Sequence, residues 1–278
     1  MIALLARVVP IAMLVFVVSS MLAMGLALTV AQIAAPLRNV RLVTLALLAN
    51  FVLMPGAAFG IAKLLQLHES LAAGLLILGT AAGAPFLPKL ASLAKGNLAF
   101  AVGLMVLLMV LTVGYMPLVL PRLMEGVTVD AGKIARSLVV LMMLPLAAGL
   151  AVKAWFAAIA ARVKPPLDKT SNLSLIALIA LLVIVNFDKL LDVFGTRGIL
   201  AGIVFIVAGY AIGHLLGGPG PDTRRVLALG TSQRNIAAAL VVAGQNFSDP
   251  KVVLMVVVVA IVGLLILMPL SRALSRRG

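Results

Sequence analysis

Leu229-Gly230-Thr231-Ser232-Gln233-Arg234-Asn235 places five consecutive polar side chains inside an otherwise apolar stretch, residues 223–244. Arg234 lies ten residues beyond Arg224. At 1.5 Å per residue that is about 15 Å along a helix, half of a hydrocarbon core about 30 Å thick. An arginine at that depth costs at least about 2.5–3.5 kcal/mol, so it must face a partner or water. A second stretch breaks the same pattern by other means. Gly79-Thr80-Ala81-Ala82-Gly83-Ala84-Pro85-Phe86-Leu87-Pro88-Lys89 holds two prolines and two glycines within ten residues. Each proline removes a backbone donor and clashes with the preceding turn, so the helix is interrupted. In lipid such an interruption survives only where it is buried in protein or lines a wet cavity.

The rest of the chain supports a membrane setting for both stretches. Of 278 residues, 64% are apolar and 11% charged, with a mean hydropathy of +1.25. A soluble domain carries about 25% charged residues, so a soluble globule, a disordered chain and a coiled coil are excluded. Apolar runs separated by charges or Gly/Pro clusters predict nine spanning segments, at about 8–30, 41–65, 70–95, 98–121, 133–156, 170–187, 197–217, 223–244 and 251–271. The stretch after Arg7 resembles a signal peptide, but it is long enough to span and is read as a helix. Phe156 to Lys169, with Pro165-Pro166, reads as an interfacial turn. The chain is then one integral membrane domain in two parts, 1–155 and 156–278.

The net charge of +14 comes from 22 basic and 8 acidic residues. The basic residues stand singly or in pairs between apolar runs, which points to membrane topology and not to nucleic acid. Odd-numbered loops and the C-terminal tail hold twelve of them and the other side eight, with Lys89 and Arg234 inside segments. That bias predicts a cytoplasmic C-terminus and an external N-terminus; the membrane expected is a bacterial plasma (inner) membrane. There is no cysteine, hence no disulfide or thiolate metal site. His68 and His214 lack metal-ligand spacing and read as interfacial, and the thirteen methionines read as packing. Pro55, Pro117 and Pro145 read as kinks. No HExxH, GxSxG, paired intramembrane aspartate or phosphate-binding glycine loop is present, so no enzyme is expected.

The two broken segments resemble each other. Leu78-Gly79-Thr80 leads to Gly96-Asn97, and Leu229-Gly230-Thr231 leads to Gly244-Gln245-Asn246. They are segments 3 and 8, an odd offset of five, so the copies cross in opposite directions. Broken helices at matching places of an inverted repeat mark a secondary transporter's binding site. The expected substrate-binding residues are Thr80, Gly83, Pro85, Pro88, Gly230, Thr231, Ser232, Gln233, Arg234 and Asn235, with Asn50 and Lys89 in support. Lys89 is also close enough to Lys95 to reach the interface by snorkelling.

Several stretches together resemble the bile acid:sodium symporter family. They are Met21-Leu22-Ala23-Met24-Gly25-Leu26-Ala27-Leu28, Asn50-Phe51-Val52-Leu53-Met54-Pro55, Leu93-Ala94-Lys95-Gly96-Asn97, Gly213-His214-Leu215-Leu216-Gly217 and Gln233-Arg234-Asn235-Ile236-Ala237-Ala238-Ala239-Leu240. The resemblance implies an all-α polytopic protein built as an inverted repeat with two broken, crossing helices, in a panel and a core. Against the family's ten-helix plan the first helix is missing, and segments 3 and 8 fall on the crossing pair. Segments 1, 5 and 6 are then expected in the panel and 3, 4, 8 and 9 in the core, with 2 and 7 left to either layer.

The family's sodium ligands fall on Leu87, Pro88, Ala101, Met105, Gly230 and Arg234, none of which is a matching ligand; only Asn50 keeps an amide. The expected function is therefore secondary active transport of a small organic anion by alternating access. In this expectation Arg234 neutralises carbonyl dipoles where relatives place sodium, and half-helix N-termini near Pro88 and Asn235 add positive potential. No cofactor is expected beyond coupling Na+ or H+. Competing expectations are a sodium- or proton-coupled symporter of the same fold and a non-transporting membrane sensor or scaffold. Expected partners are the anion and the lipid bilayer, with the oligomeric state open.

Overall fold

The computed structural model describes residues 2–34, 38–124, 130–185 and 197–276, and among these there is no strand. The helices are α1 (Ile2–Ala27), α2 (Val30–Ala34), α3 (Val40–Leu48), α4 (Met54–Leu64), α5 (Glu69–Thr80), α6 (Leu87–Leu93) and α7 (Leu98–Leu123). They continue with α8 (Ala131–Leu138), α9 (Leu144–Trp155), α10 (Ala157–Val185), α11 (Gly198–Leu216), α12 (Pro221–Ser232), α13 (Ile236–Asn246) and α14 (Pro250–Arg276). Single π turns, Ala49–Leu53 and Val139–Met143, join α3 to α4 and α8 to α9. Each precedes a proline that cannot supply a main-chain N–H. The expected kinks at Pro55 and Pro145 are thus π turns, while Pro117 lies inside α7.

Seven helical stretches among the described residues are long and apolar enough to cross a membrane. The least apolar of them, Pro221–Asn246, has 89% of its most apolar window buried, against 28–50% for the other six. That order is the one a membrane imposes, because polar side chains and broken backbone must be satisfied by protein where lipid offers no partner. On the outer surface, Leu118 and Leu265 are 61% and 70% exposed, as lipid-facing side chains are. The expected third segment is the pair α5 and α6.

The expected sixth segment is part of α10, and here one expectation is corrected. The backbone turns only at Phe156 (φ −135°, ψ 61°), and α10 runs on for 29 residues through Pro165-Pro166. The carbonyls those prolines leave without a helical donor belong to Ala161 and Arg162, both exposed. Protein does not enclose them there, and the helix continues through both prolines. At the chain's two ends, the expected boundaries 8–30 and 251–271 correspond to longer helices, α1 and α14.

α1 packs against α9 and α10 to form one layer. The closest approach is at Gly25 and Gly149, where an added Cβ would stand 2.3 Å from Leu146 O and 2.5 Å from Leu22 O. A second layer gathers α5, α6, α12 and α13 with α7 and α14. The stretches left unassigned by sequence, α3–α4 and α11, pack on this second layer through α5 and α12.

Candidate functional site

Both broken helices are interrupted, and the interruptions touch. Ala81 to Phe86 separate α5 from α6, and Gln233 to Asn235 separate α12 from α13. The Asn235 N–H donates to Ala81 O at 2.9 Å. Asn235 also caps α13, its side-chain oxygen accepting from Ala238 N at 3.1 Å. Gly83 is required in the longer break. Its φ is +81°, and a Cβ there would stand 2.3 Å from the main-chain N of Met109. Thr112, fully buried on α7, uses one hydroxyl to accept from Ala82 N (3.1 Å) and to donate to Ala82 O (3.2 Å).

Arg234 is 2% exposed and points its guanidinium into the crossing. Nε donates to Leu78 O at 2.9 Å, and Nη2 to Gly79 O at 2.7 Å and Asn50 O at 3.5 Å. Nη1 donates to Asn50 Oδ1 at 2.8 Å and Thr231 O at 3.3 Å. A guanidinium has five N–H donors, and these five bonds use them all. Every acceptor is uncharged. Leu78, Gly79 and Thr231 belong to the last turns of α5 and α12, where the dipole favours a cation, and Leu78 O also accepts from Ala81 N at 3.1 Å. Hydrogen bonds to a charged donor contribute about 1.5–3 kcal/mol each. Five of them offset the several kcal/mol that burying an ion costs.

The remaining acceptor, Asn50, is presented by the π turn. Met54 N bonds Ala49 O, and Pro55 has no N–H to serve the carbonyls of Asn50 or Phe51. Those two carbonyls take side-chain donors instead. Arg234 donates to Asn50 O, and the Tyr115 hydroxyl donates to Phe51 O. The Tyr115 ring packs on Phe51 with centroids 4.7 Å apart. The Asn50 amide N–H2 donates to Thr231 Oγ1 (3.2 Å) and Ala46 O (3.0 Å).

A cavity of about 940 Å³ opens between the α1/α10 layer and the crossing. Pro85, Pro88, Lys89, Ser232, Gln233 and Arg234 line it from the crossing side. Opposite them, α10 contributes Lys164, Asp168, Ser171 and Asn172. Among the described residues the charged lining is thus three cations against one carboxylate, and that carboxylate pairs with Lys164.

The expected site residues divide into those on the cavity wall and those behind it. Thr80, Gly83, Gly230, Thr231, Asn235 and Asn50 are not on the wall. Thr80 is fully buried and its hydroxyl donates back to Leu76 O and Ile77 O. The Ser232 hydroxyl donates to Ile206 O at 2.7 Å. Lys89 is exposed. Of the positions that correspond to sodium ligands in the resembled family, Leu87, Ala101 and Met105 are apolar and buried. A Cβ on Gly230 would meet Leu87 Cδ2 at 2.9 Å, so an apolar contact fills that place. Thr112, Tyr115 and the polar face of α10 were not anticipated. The spacing Lys164, Asp168, Ser171, Asn172 is a helical stripe that the reading of 156–169 as a turn concealed.

Fold and site define a polytopic α-helical membrane protein with a cavity that ends at two interrupted, touching helices. The chain belongs to the sodium bile acid symporter family, whose model matches residues 12–193. It is 26% identical over 235 residues to "Probable sodium/metabolite cotransporter BASS1, chloroplastic" of Arabidopsis thaliana, covering 83% of this chain and 58% of that protein. It is 30% identical over 202 residues to "Uncharacterized sodium-dependent transporter YocS" of Bacillus subtilis (strain 168), covering 71% and 60%. It is 27% identical over 237 residues to "Probable sodium/metabolite cotransporter BASS2, chloroplastic" of Oryza sativa subsp. japonica, covering 84% and 56%. The chain spans less than two thirds of the length of each of these relatives. The family and the relatives are transporters, not enzymes.

Proposed function

We propose that this chain is a secondary carrier of a small organic anion that works by alternating access without sodium. The observation that carries the reading is the Arg234 guanidinium, which binds five carbonyl and amide oxygens at the helix crossing, with no carboxylate among its partners in the described residues. Rings of carbonyl oxygens can replace a cation's hydration shell. Here a covalently attached cation already occupies that role, so a sodium ion has neither vacant oxygens nor an electrostatic reason to bind. The relatives' printed names associate sodium with a metabolite or transport. This chain keeps the carrier architecture and departs at the ion.

The cavity lies where a carrier's cargo site is expected, between two layers that can move against each other. Its excess of cationic lining favours an anion. Nine crossings in an inverted repeat, with the C-terminus cytoplasmic in a bacterial plasma membrane, complete the reading. A tethered charge moves through both access states with the protein and takes no energy from an ion gradient. Net flux then follows the cargo's own electrochemical gradient or exchange for a second anion. Purified protein in proteoliposomes, assayed with radiolabelled carboxylates and sulfonates, tests this. Arg234→Ala abolishes uptake; unimpaired uptake by that variant contradicts the proposal.

A further inference from the structure

We propose that Ser137 and Gln245 form the gate that closes one end of the cavity, and that their hydrogen bond breaks each time the carrier turns over. The proposal rests on the carrier reading and adds to it the residues that separate the two access states.

The open end of the cavity is marked by Ser92 and Leu98, which line it and are exposed. They flank the place where α6 finishes and α12 begins, and where Asn97 Nδ2 donates to Asp222 Oδ2 at 3.3 Å. From there the wall follows α1 back from Ala27 to Phe16, and α10 onward from Lys164 to Ile179. One turn short of Phe16 the wall on α1 stops. Met13 is 7% exposed, and its Cε and Sδ lie 3.1 Å from where a Cβ on Gly244 would stand. Gly244 is in the last turn of α13, so at this point the first layer rests on the second.

The next residue, Gln245, adds a polar bond to that contact. Ser137 Oγ donates to Gln245 Oε1 at 2.8 Å. Ser137 is buried on α8, which runs through the π turn into α9 of the first layer. Both α1 and α8 pack on α13. This end lies opposite the mouth. α13 finishes where α5 begins, and the Ser70 hydroxyl in the first turn of α5 donates to Asp249, three residues beyond α13.

The matching sequences of the two broken segments end differently. After the first break, Gly96-Asn97 leads to a bond with Asp222 inside the second layer. After the second, Gly244-Gln245-Asn246 sends its glutamine across to the first layer. A carrier whose layers move against each other opens one end as it closes the other. The Ser137–Gln245 bond and the Met13–Gly244 contact therefore belong to one access state and are lost in the other. One intramolecular hydrogen bond shifts such an equilibrium by about two- to tenfold, which favours this state without locking it.

The chain has no cysteine, so Ser137→Cys combined with Gln245→Cys supplies two thiols and no others. Mercuric ion joins two thiolates, and it bridges this pair in the full chain in proteoliposomes. The bridge is read as loss of both thiols to a maleimide and as one mercury in the intact mass. Bridging abolishes uptake of radiolabelled lactate or cholate, whichever the unbridged variant carries, and dithiothreitol restores it. Each single-cysteine variant keeps its own rate in mercury. Thiols that do not bridge overturn the proposal. So does a bridged protein that carries at the unbridged rate, or equal inhibition of a single-cysteine variant. All three leave the carrier reading intact, whereas uptake of neither probe by wild type overturns both. Should the double variant fail to fold or to carry either probe, Met13→Cys with Gly244→Cys bridges the second contact and is judged by the same outcomes.

Discussion

Asn50 Oδ1 accepts a 2.8 Å hydrogen bond from Nη1 of Arg234, 184 residues further along the chain, while the same amide donates to Thr231 Oγ1. One side chain thereby joins the π turn before α4 to the broken α12–α13 pair. The contact tests charge, because Asn50→Asp keeps the side-chain size and the acceptor but neutralises the guanidinium, while giving up the amide N–H2 that serves Ala46 O. That variant still folds in detergent, with a lowered unfolding midpoint, and loses about tenfold or more in anion uptake. Unchanged uptake would show that the net positive charge at the crossing is not used.

Asn50→Leu removes the acceptor and the donor together. It strands a guanidinium N–H and the Thr231 hydroxyl inside the protein. The expected loss is about 2–4 kcal/mol of stability, read as a lower midpoint of thermal unfolding followed by size-exclusion chromatography.

Arg234→Lys keeps the charge and loses the planar fork. An ammonium has three donors for the five oxygens around it, and the exchange is not conservative at such a site. The outcome is reduced stability together with about tenfold or greater loss of uptake, measured on the same proteoliposome preparation. Wild-type behaviour from the lysine variant would contradict the five-bond account.

Tyr115→Phe retains the ring packed on Phe51 and removes the donor to Phe51 O. Thr112→Val removes the hydroxyl that bonds both main-chain groups of Ala82. Each variant costs about 1–3 kcal/mol by leaving buried backbone unsatisfied, and Thr112→Ser recovers most of it. Hydrogen exchange at Ala82 accelerates in Thr112→Val and not in Thr112→Ser.

Gly83→Ala combines a left-handed backbone with a Cβ 2.3 Å from Met109 N, a main-chain atom that cannot swing aside. About 3 kcal/mol or more of destabilisation is expected. A variant that unfolds at the wild-type temperature would mean that the first break is not packed on α7 as described.

Both interruptions were legible in sequence because their causes are local: Pro85 and Pro88 in one, and the polar run from Thr231 to Asn235 in the other. That Arg234 needs partners within the protein followed from its place in an apolar stretch, and it is buried. Its partners did not, since four of the five acceptors are main-chain carbonyls, and any residue type supplies a carbonyl. Only Asn50, whose side chain takes part, was visible beforehand. Tyr115 and Thr112 escaped notice because a single hydroxyl in a long apolar helix looks like ordinary packing until the freed carbonyl opposite is known. The cavity face of α10 was hidden by Pro165-Pro166, which mark a turn in most sequences and here lie within a helix, below two exposed residues, Ala161 and Arg162.

Uptake measured at equal membrane potential in an inward sodium gradient and in equimolar choline tests the tethered-cation account most directly. The account predicts the same initial rate in both media for any anion the protein carries, with no accompanying uptake of radioactive sodium. A rate that requires sodium, or sodium entering with the anion, would contradict it.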